Sequence, residues 1–272
     1  MAGKTVVKKD YVVLAGDFAS FKYEIDNARW EPNAEINANI EETWQKQIKE
    51  AAAKGAECVN NSMARVNQYS VSAGTLTLQL QPTDWRHFKG TMKYQEIKNT
   101  ANPLSVGGIT ITSDGYIVAG RKSKINDIGV GQFQLAPCGY VNWEDVQKDP
   151  RNVSGYAMGR ESIEELNVYG FESYTPVCMA GRPGTLQPMI IAELNVLCNK
   201  EELIEAHSKI EKKEIDELVF IRADPEDIGT FLEKRANELR PHLRCGLDMY
   251  HEILIDRKKK SKMFGWSDDG EW

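Results

Sequence analysis

Cys138-Gly139-Tyr140-Val141-Asn142-Trp143-Glu144-Asp145, followed after a polar insert by Arg160-Glu161-Ser162-Ile163-Glu164-Glu165-Leu166-Asn167-Val168, decides how this chain is read. On a helix, Glu161, Glu164 and Glu165 fall at i, i+3 and i+4, which puts three carboxylates on one face. Like charges at that spacing weaken an isolated helix. The cluster makes sense if a divalent cation neutralises it, because Mg²⁺ takes a few carboxylates and completes its shell with water and substrate phosphate. Without a cation the same run is a solvated helix face. Arg160 can pair with Glu164 one turn on. Asn167 falls where the helix should stop, and Asn tolerates the left-handed conformation that ends helices.

Composition bounds the rest. At 272 residues the chain makes one large or two small domains and can bury a sizeable core. Hydrophobic residues at 41% and charged residues at 27% are ordinary for a soluble globular protein. A net charge of −6 argues against a general nucleic-acid binder. No stretch approaches a membrane span, and Met1 to Lys9 carries no apolar signal region. Cys58, Cys138, Cys178, Cys198 and Cys245 are scattered, odd in number and free of C-x-x-C, which favours reduced thiols and a cytoplasmic location. Monomer and homodimer are both open.

Working outward toward the N-terminus, Tyr11 to Phe18 and Phe21 to Ile25 suit strands. Asn39 to Lys54 reads as a helix capped by Asn37 or Asn39, with Ile40, Trp44 and Ile48 as its core stripe. Ala64 to Val71 and Thr75 to Leu80 read as a hairpin turning at Ser72-Ala73-Gly74. Beyond it, Trp85, Arg86 and Phe88 set two aromatics beside a cation, a group able to stack on a nucleobase and pair with a phosphate. The same cluster also reads as two core aromatics flanking an ion-paired Arg. Lys98 to Pro103 reads as a linker. Val106 to Thr112 and Tyr116 to Arg121 are strands joined at Ser113-Asp114-Gly115. Past the acidic helix, Tyr174 to Met179 and Met189 to Leu197 are strands flanking a Gly181-Arg182-Pro183-Gly184 loop. Asn199 to Lys212, a helix from Asp224-Pro225, and Pro241 to Ile255 supply the remaining helices. Arg257 to Lys262 reads as the start of a solvated charged tail, 257–272.

The opening stretch resembles the Nudix box, G-x5-E-x7-R-E-U-x-E-E-x-G-U with U aliphatic. Arg160, Glu161, Glu164, Glu165 and Val168 match it position by position, and Gly139-Tyr-Val-Asn looks like its Gly-rich loop. Ser162 replaces an aliphatic, Asn167 replaces the last Gly, and the spacing from Gly139 to Arg160 is longer by seven residues. The first Glu of the pattern falls on Asp145 counted forward, with Glu144 beside it, and on Asn152 counted back. The insert Val146 to Gly159 is expected to form a loop.

The resemblance implies an α/β/α fold, a mixed sheet between helices, over 101–256. A smaller α+β domain, 1–100, would precede it and serve substrate recognition. That N-terminal half is similar to the first domain of the eukaryotic Nudix UDP-glucose pyrophosphatases, through Trp44, Leu76-x-Leu78-x-Leu80, Trp85-Arg86-x-Phe88-x-Gly90-Thr91 and Asn102-Pro103-Leu104.

The implied activity is hydrolysis of a nucleoside diphosphate-linked small molecule, with UDP-glucose or UDP-galactose giving UMP and a sugar 1-phosphate. Glu161, Glu164 and Glu165 would hold Mg²⁺ or Mn²⁺, and Arg160 would orient them. Glu144 or Asp145 is a further ligand candidate. One of the box glutamates, Glu214 or Glu217 would take the proton. Trp85, Arg86, Arg121, Gly139 and Arg182 would contact substrate. ADP-ribose, a dinucleoside polyphosphate and a nucleoside triphosphate remain alternative substrates. A non-catalytic nucleotide sensor is the alternative of another class.

Overall fold

The computed structural model describes residues 6–7, 10–16, 18–53, 55–124, 129–184 and 186–263. Strands β1 (Val6–Val7), β2 (Val12–Ala15) and β3 (Ser20–Ile25) come first. Helix α1 (Ala34–Ala53) leads to the hairpin of β4 (Ser62–Ser72) and β5 (Thr75–Asp84), and β5 runs straight into helix α2 (Trp85–Thr91). Then follow β6 (Ser105–Ile111), β7 (Tyr116–Lys122), β8 (Phe133–Leu135), β9 (Cys138–Tyr140) and helices α3 (Trp143–Lys148) and α4 (Val153–Leu166). The chain continues through β10 (Ser173–Arg182), β11 (Leu186–Asn195), α5 (Lys200–Ser208), β12 (Ile215–Arg222), α6 (Pro225–Lys234) and α7 (Pro241–Met263).

Among the described residues, nine strands form one mixed sheet in the order β1-β2-β10-β11-β6-β7-β12, with β8 on β7 and β9 on β6. β11 and β6 run parallel from Met189–Ser105 to Asn195–Ile111. A parallel pair inside a sheet is covered on both faces and needs apolar runs rather than alternation, and all seven residues of β6 are buried. On one face, Ile228, Leu243, Leu247 and Tyr250 of α6 and α7 pack with Ile109, Ile191 and Phe133. On the other, Val153, Ala157 and Met158 of α4 pack with Val106, Ile190 and Ala192, together with Leu76, Leu78 and Leu80 of a second sheet, β3-β5-β4. The fold is therefore α/β, a mixed sheet between helices. No helix of the described residues is long and apolar enough to cross a membrane.

Several boundaries differ from those expected. A division at residue 100 does not follow the sheets. β2 joins the large sheet beside β10, with Val13 opposite Ala180. Backbone hydrogen bonds also cross the division: Val66 N to Asn102 O at 3.0 Å, Leu104 N to Ala64 O at 2.8 Å and Ala64 N to Val141 O at 2.9 Å. Residues 98–103 are no free linker. Arg65, wholly buried, donates to the carbonyls of Thr100 (3.0 Å) and Ile97 (2.7 Å), so this polar segment is spent satisfying a buried guanidinium.

The insert expected as a loop is largely helical. α3 starts on a capping box formed by Asn142 and Asp145, and α4 begins at Val153. Helix α1 begins at Ala34 with Asn33 Oδ1 accepting from Ile36 N at 2.9 Å, not at Asn37 or Asn39. Its buried residues are Ile36 and Ile40, while Ile48 is exposed; Ile40 is where Gly90 of α2 meets the helix. A Cβ on Gly90 would lie 2.5 Å from Ile40 Cα. The basic run Arg257 to Lys262 is no tail: it continues α7, with Arg257 on Glu193 (2.9 Å) and Lys258 on Asp224 (2.5 Å). Residues 264–272 lie outside the described residues.

Asp84 caps α2 and couples it to the loop before α1. It accepts from His87 N at 2.9 Å, meets His87 Nδ1 at 2.6 Å and pairs with Arg29. Burial alone would raise its pKa, but the hydrogen bonds from His87 and the nearby Arg29 charge override it and hold the carboxyl at about 2. A lowered folded-state value gives stability that is present above the unfolded pKa near 4 and lost as pH falls through about 2. Asp84→Asn keeps a cap oxygen and removes the charge. It is expected to lower unfolding free energy by about 2 kcal/mol at neutral pH, with the gap closing below about pH 3 in urea melts.

Candidate active site

Helix α4 carries one buried stripe: Val153, Ala157, Met158, Glu161, Ser162, Glu165 and Leu166. Its first two turns fill that stripe with apolar side chains that enter the core. Its last turns put carboxylates at the same positions. Glu161 is 8% exposed and Glu165 4%, whereas Glu164 stands beside the stripe with its side chain 56% exposed. The three acids therefore share a face only loosely, two buried and one at the rim. Asn167 ends the helix at φ 56° and ψ 37°, its N–H on Ile163 O and that of Val168 on Ser162 O.

Strand β9 crosses under this helix, and Gly139 is where the two approach. A Cβ on Gly139 would lie 1.9 Å from Glu161 Oε1. The Gly-rich loop of the sequence is thus a strand, and its glycine provides clearance for a carboxylate rather than a turn. Glu165 lies beneath, accepting from Cys138 N at 2.8 Å and Gln134 Nε2 at 3.2 Å. Arg160 ties the rim together. Its Nη1 reaches Glu161 at 2.8 Å and Glu164 at 3.1 Å, and its Nη2 reaches Tyr140 O at 2.8 Å and Asp145 at 3.0 Å. Burial works against that guanidinium's charge, but Asp145, Glu161 and Glu164 outweigh it.

The buried acids are poised high. Burial pushes Glu161 up to about 7, with Glu164 and Glu214 adding to the rise and Arg160 opposing it. Burial and then the Glu161 charge hold Glu165 well above the ordinary carboxylate range. Both shifts come first from burial, which the nearby Arg160 and Lys122 charges oppose without cancelling.

The acids face a cleft of about 690 Å³. Glu161, Glu164, Glu144 and Glu214 line it, and Glu144 accepts from the Ser62 hydroxyl. Lys122, Arg182, Arg240 and His242 line the same cleft. Asn61, Ser62, Met63 and Trp85 complete the lining, supplied by β4, α2 and the segment before β4. The Trp85 ring stands edge-on to Phe88 (5.4 Å) and Tyr140 (6.2 Å).

Gly139, Arg160, Glu161, Glu164, Trp85 and Arg182 line this cleft, and Glu165 lies directly behind it. Arg121 and Arg86 do not. Arg121 is turned away onto Glu217 (2.9 Å), Gly131 O (2.8 Å) and the Phe133 ring (4.1 Å). Arg86 reaches toward Glu41 on α1 at 3.6 Å. In each case the neighbour in sequence lines the cleft instead, Lys122 for Arg121 and Trp85 for Arg86. Strand alternation sends successive side chains to opposite faces, so Lys122 was the other half of an even choice. Of the two loop acids, Glu214 lines the cleft and Glu217 is held outward by Arg121. Arg240 and His242 carried no sequence signal: they flank the Pro that starts α7, and nothing local distinguishes them from other helix-start residues.

The donor chemistry fits a hard divalent cation: clustered carboxylate oxygens, two of the side chains buried, with an open cleft for water and phosphate. Among the described residues no three His, Cys, Asp or Glu side chains stand as a preformed metal centre. Glu161 and Glu164 are turned onto Arg160 in this structure.

No family model matches this chain, and no curated protein does. Among solved structures it is similar to DR0079 from Deinococcus radiodurans, with 15% identity over 70% of this chain and 98% of that one, at a TM-score of 0.44. It is similar to the MutT protein from Methanosarcina mazei Go1, with 15% identity over 58% and 94% and a TM-score of 0.36. It is also similar to the E. coli ORF135 protein, with 18% identity over 57% and 91% and a TM-score of 0.37. These likenesses are too distant to bear on function, which rests on the residues of the cleft.

Proposed function

We propose that this chain is a Nudix-type hydrolase that cleaves the diphosphate of a nucleoside diphosphate-linked small molecule. The observation that carries the reading is the meeting, in one cleft, of the carboxylates of α4 with Lys122, Arg182 and Arg240. A linear diphosphate is the group that such a cleft suits, because it needs cations on every side. Glu161 and Glu164, with Glu165 behind them, would hold Mg²⁺ or Mn²⁺. That cation, when bound, would neutralise phosphoryl oxygens and lower the pKa of the attacking water.

The chain's own groups supply the rest. Arg160 fixes the carboxylates against the Tyr140 carbonyl and Asp145. Lys122, which lines the cleft, would offer a point charge to a phosphoryl oxygen. Glu214, which lines the cleft, or one of the box glutamates would take a proton from the attacking water. The Trp85 ring at the mouth is the stacking surface for a nucleobase. With the N-terminal resemblance, UDP-glucose or UDP-galactose is the favoured substrate, giving UMP and a sugar 1-phosphate.

The test is phosphate release, after coupled phosphatase treatment, from UDP-glucose, UDP-galactose, GDP-mannose, ADP-ribose, NADH, diadenosine polyphosphates and nucleoside triphosphates with Mg²⁺. Turnover confined to UDP-sugars and reduced about 10²-fold or more in Glu164→Gln is the expected result. Turnover of other compounds would keep the chemistry and discard the uridine preference. Metal-dependent turnover of none of them would overturn the reading.

A further inference from the structure

Arg182, at the end of β10, enters the cleft without a partner. Its side chain makes no hydrogen bond or ion pair among the described residues, and its Nε is buried and unsatisfied. Burial lowers its pKa and the neighbouring Arg240 lowers it further. A shielded guanidinium with no anion beside it is costly unless a ligand supplies one.

His242 stands next to it, 7% exposed and lining the same cleft. One ring nitrogen bonds the backbone of Gln187, in the sense that raises the imidazole pKa, as donation to a carbonyl does. The other, Nε2, is buried with no partner. Burial, Arg182 and Arg240 together hold the imidazole at about 3, so it is neutral at physiological pH. A neutral ring that gives its one proton to a carbonyl keeps a bare lone pair at the remaining nitrogen. The 23-residue helix α7 also begins here, His242 being its second residue, so its positive end adds to the field.

These groups ask for two different things. Arg182 and the helix end favour an anion. The Nε2 lone pair needs a hydrogen-bond donor, which neither a diphosphate nor any other bare anion provides. A hydroxyl beside an anionic group satisfies both. We propose that this end of the cleft is a subsite for a hydroxyl flanked by an anionic group, as in a phosphorylated ribose or a hexuronic acid, on a moiety attached to the diphosphate. The inference rests on the cleft being a diphosphate site and names what the substrate carries beyond it.

The test compares matched pairs with Mg²⁺: NADPH against NADH for the phosphorylated ribose, and UDP-glucuronate against UDP-glucose for the uronic acid. Hydrolysis rates and calorimetric binding are both measured. In one pair the anionic member is expected to be favoured at least about tenfold in kcat/KM and in affinity, and the pair that responds identifies the source of the anion. Arg182→Gln is expected to bring that ratio to about one. His242→Phe, which removes the acceptor, is expected to weaken the anionic member about tenfold. If His242→Phe fails to fold in a thermal melt, Arg182→Gln decides alone. Neutral members bound and hydrolysed as well as their anionic twins in both pairs would overturn the subsite. Absence of turnover with a tenfold binding ratio that Arg182→Gln abolishes would overturn the hydrolase reading and leave the subsite standing.

Discussion

Gly139→Ala is expected to reduce metal-dependent hydrolysis about 10²- to 10³-fold while leaving the fold intact. Gly139 is not at positive φ, so alanine meets no backbone strain there. What it meets is Glu161: the new Cβ would lie 1.9 Å from Oε1 and 2.0 Å from the carboxyl carbon. That group is the far end of a flexible side chain, so it can swing away at small cost to folding. It cannot swing and keep its place in the cleft. Glu161 is held at 2.8 Å by Arg160 and backed by the Glu165 charge, and displacing it breaks the arrangement that would bind the cation. Loss of one well-placed electrostatic group typically costs about 3–4 kcal/mol of transition-state stabilisation. The check is kcat/KM on the best substrate, Mn²⁺ affinity by calorimetry and a thermal melt of the variant. Unchanged hydrolysis and Mn²⁺ affinity in a folded variant would mean that Glu161 does not hold the metal.

How much of this was legible depended on whether a signal was local. The Asn167 cap and the Arg160–Glu164 pair follow from helix spacing alone, and both are present. The strands of the large sheet read from apolar runs, because burial on both faces leaves little room for anything else. The insert before Arg160 did not read as helix, since Val153, Ala157 and Met158 are separated by Ser, Gly and Tyr, and its packing partners lie on two sheets distant in sequence. The far end of α1 misled for the opposite reason: Ile48 keeps the helical period but is exposed, while Trp44 is half-buried. The cationic lining was the least legible part. Lys122, Arg182, Arg240 and His242 come from three elements, and only the sheet order brings them together. No spacing rule reports a cluster assembled in that way.

Glu165→Gln is expected to stabilise the metal-free protein at neutral and higher pH while abolishing most of its response to Mg²⁺. Glu165 is buried, and among the described residues it has no ion-pair partner and accepts from Cys138 N and Gln134 Nε2. A glutamine can keep the first bond through its oxygen, and Gln134 can turn its amide to accept from the new NH₂. The variant therefore loses a buried charge without leaving an orphaned polar group. The pH dependence has a definite sign. A carboxyl whose folded pKa is raised binds protons more tightly in the native state than in the unfolded one. The stability of the wild type should therefore fall as pH rises from the unfolded value near 4.5 through about 7 for Glu161 and through the higher range of Glu165. The variant lacks the Glu165 share of that fall, so its stability should decline less over the same range. Mg²⁺ binds the native state of the wild type, and millimolar concentrations should raise its melting temperature by mass action. The variant offers the cation one carboxylate fewer and a weaker local field, so its rise should be small. Thermal melts at about pH 5 and about pH 8, with and without Mg²⁺, separate the two effects. A variant less stable than the wild type at high pH would mean that Glu165 is ion-paired rather than stranded. A full Mg²⁺ response in the variant would mean that the cation binds elsewhere. The expected opposition, a more stable protein that has lost its metal response, is what a carboxylate kept for chemistry rather than for folding should produce.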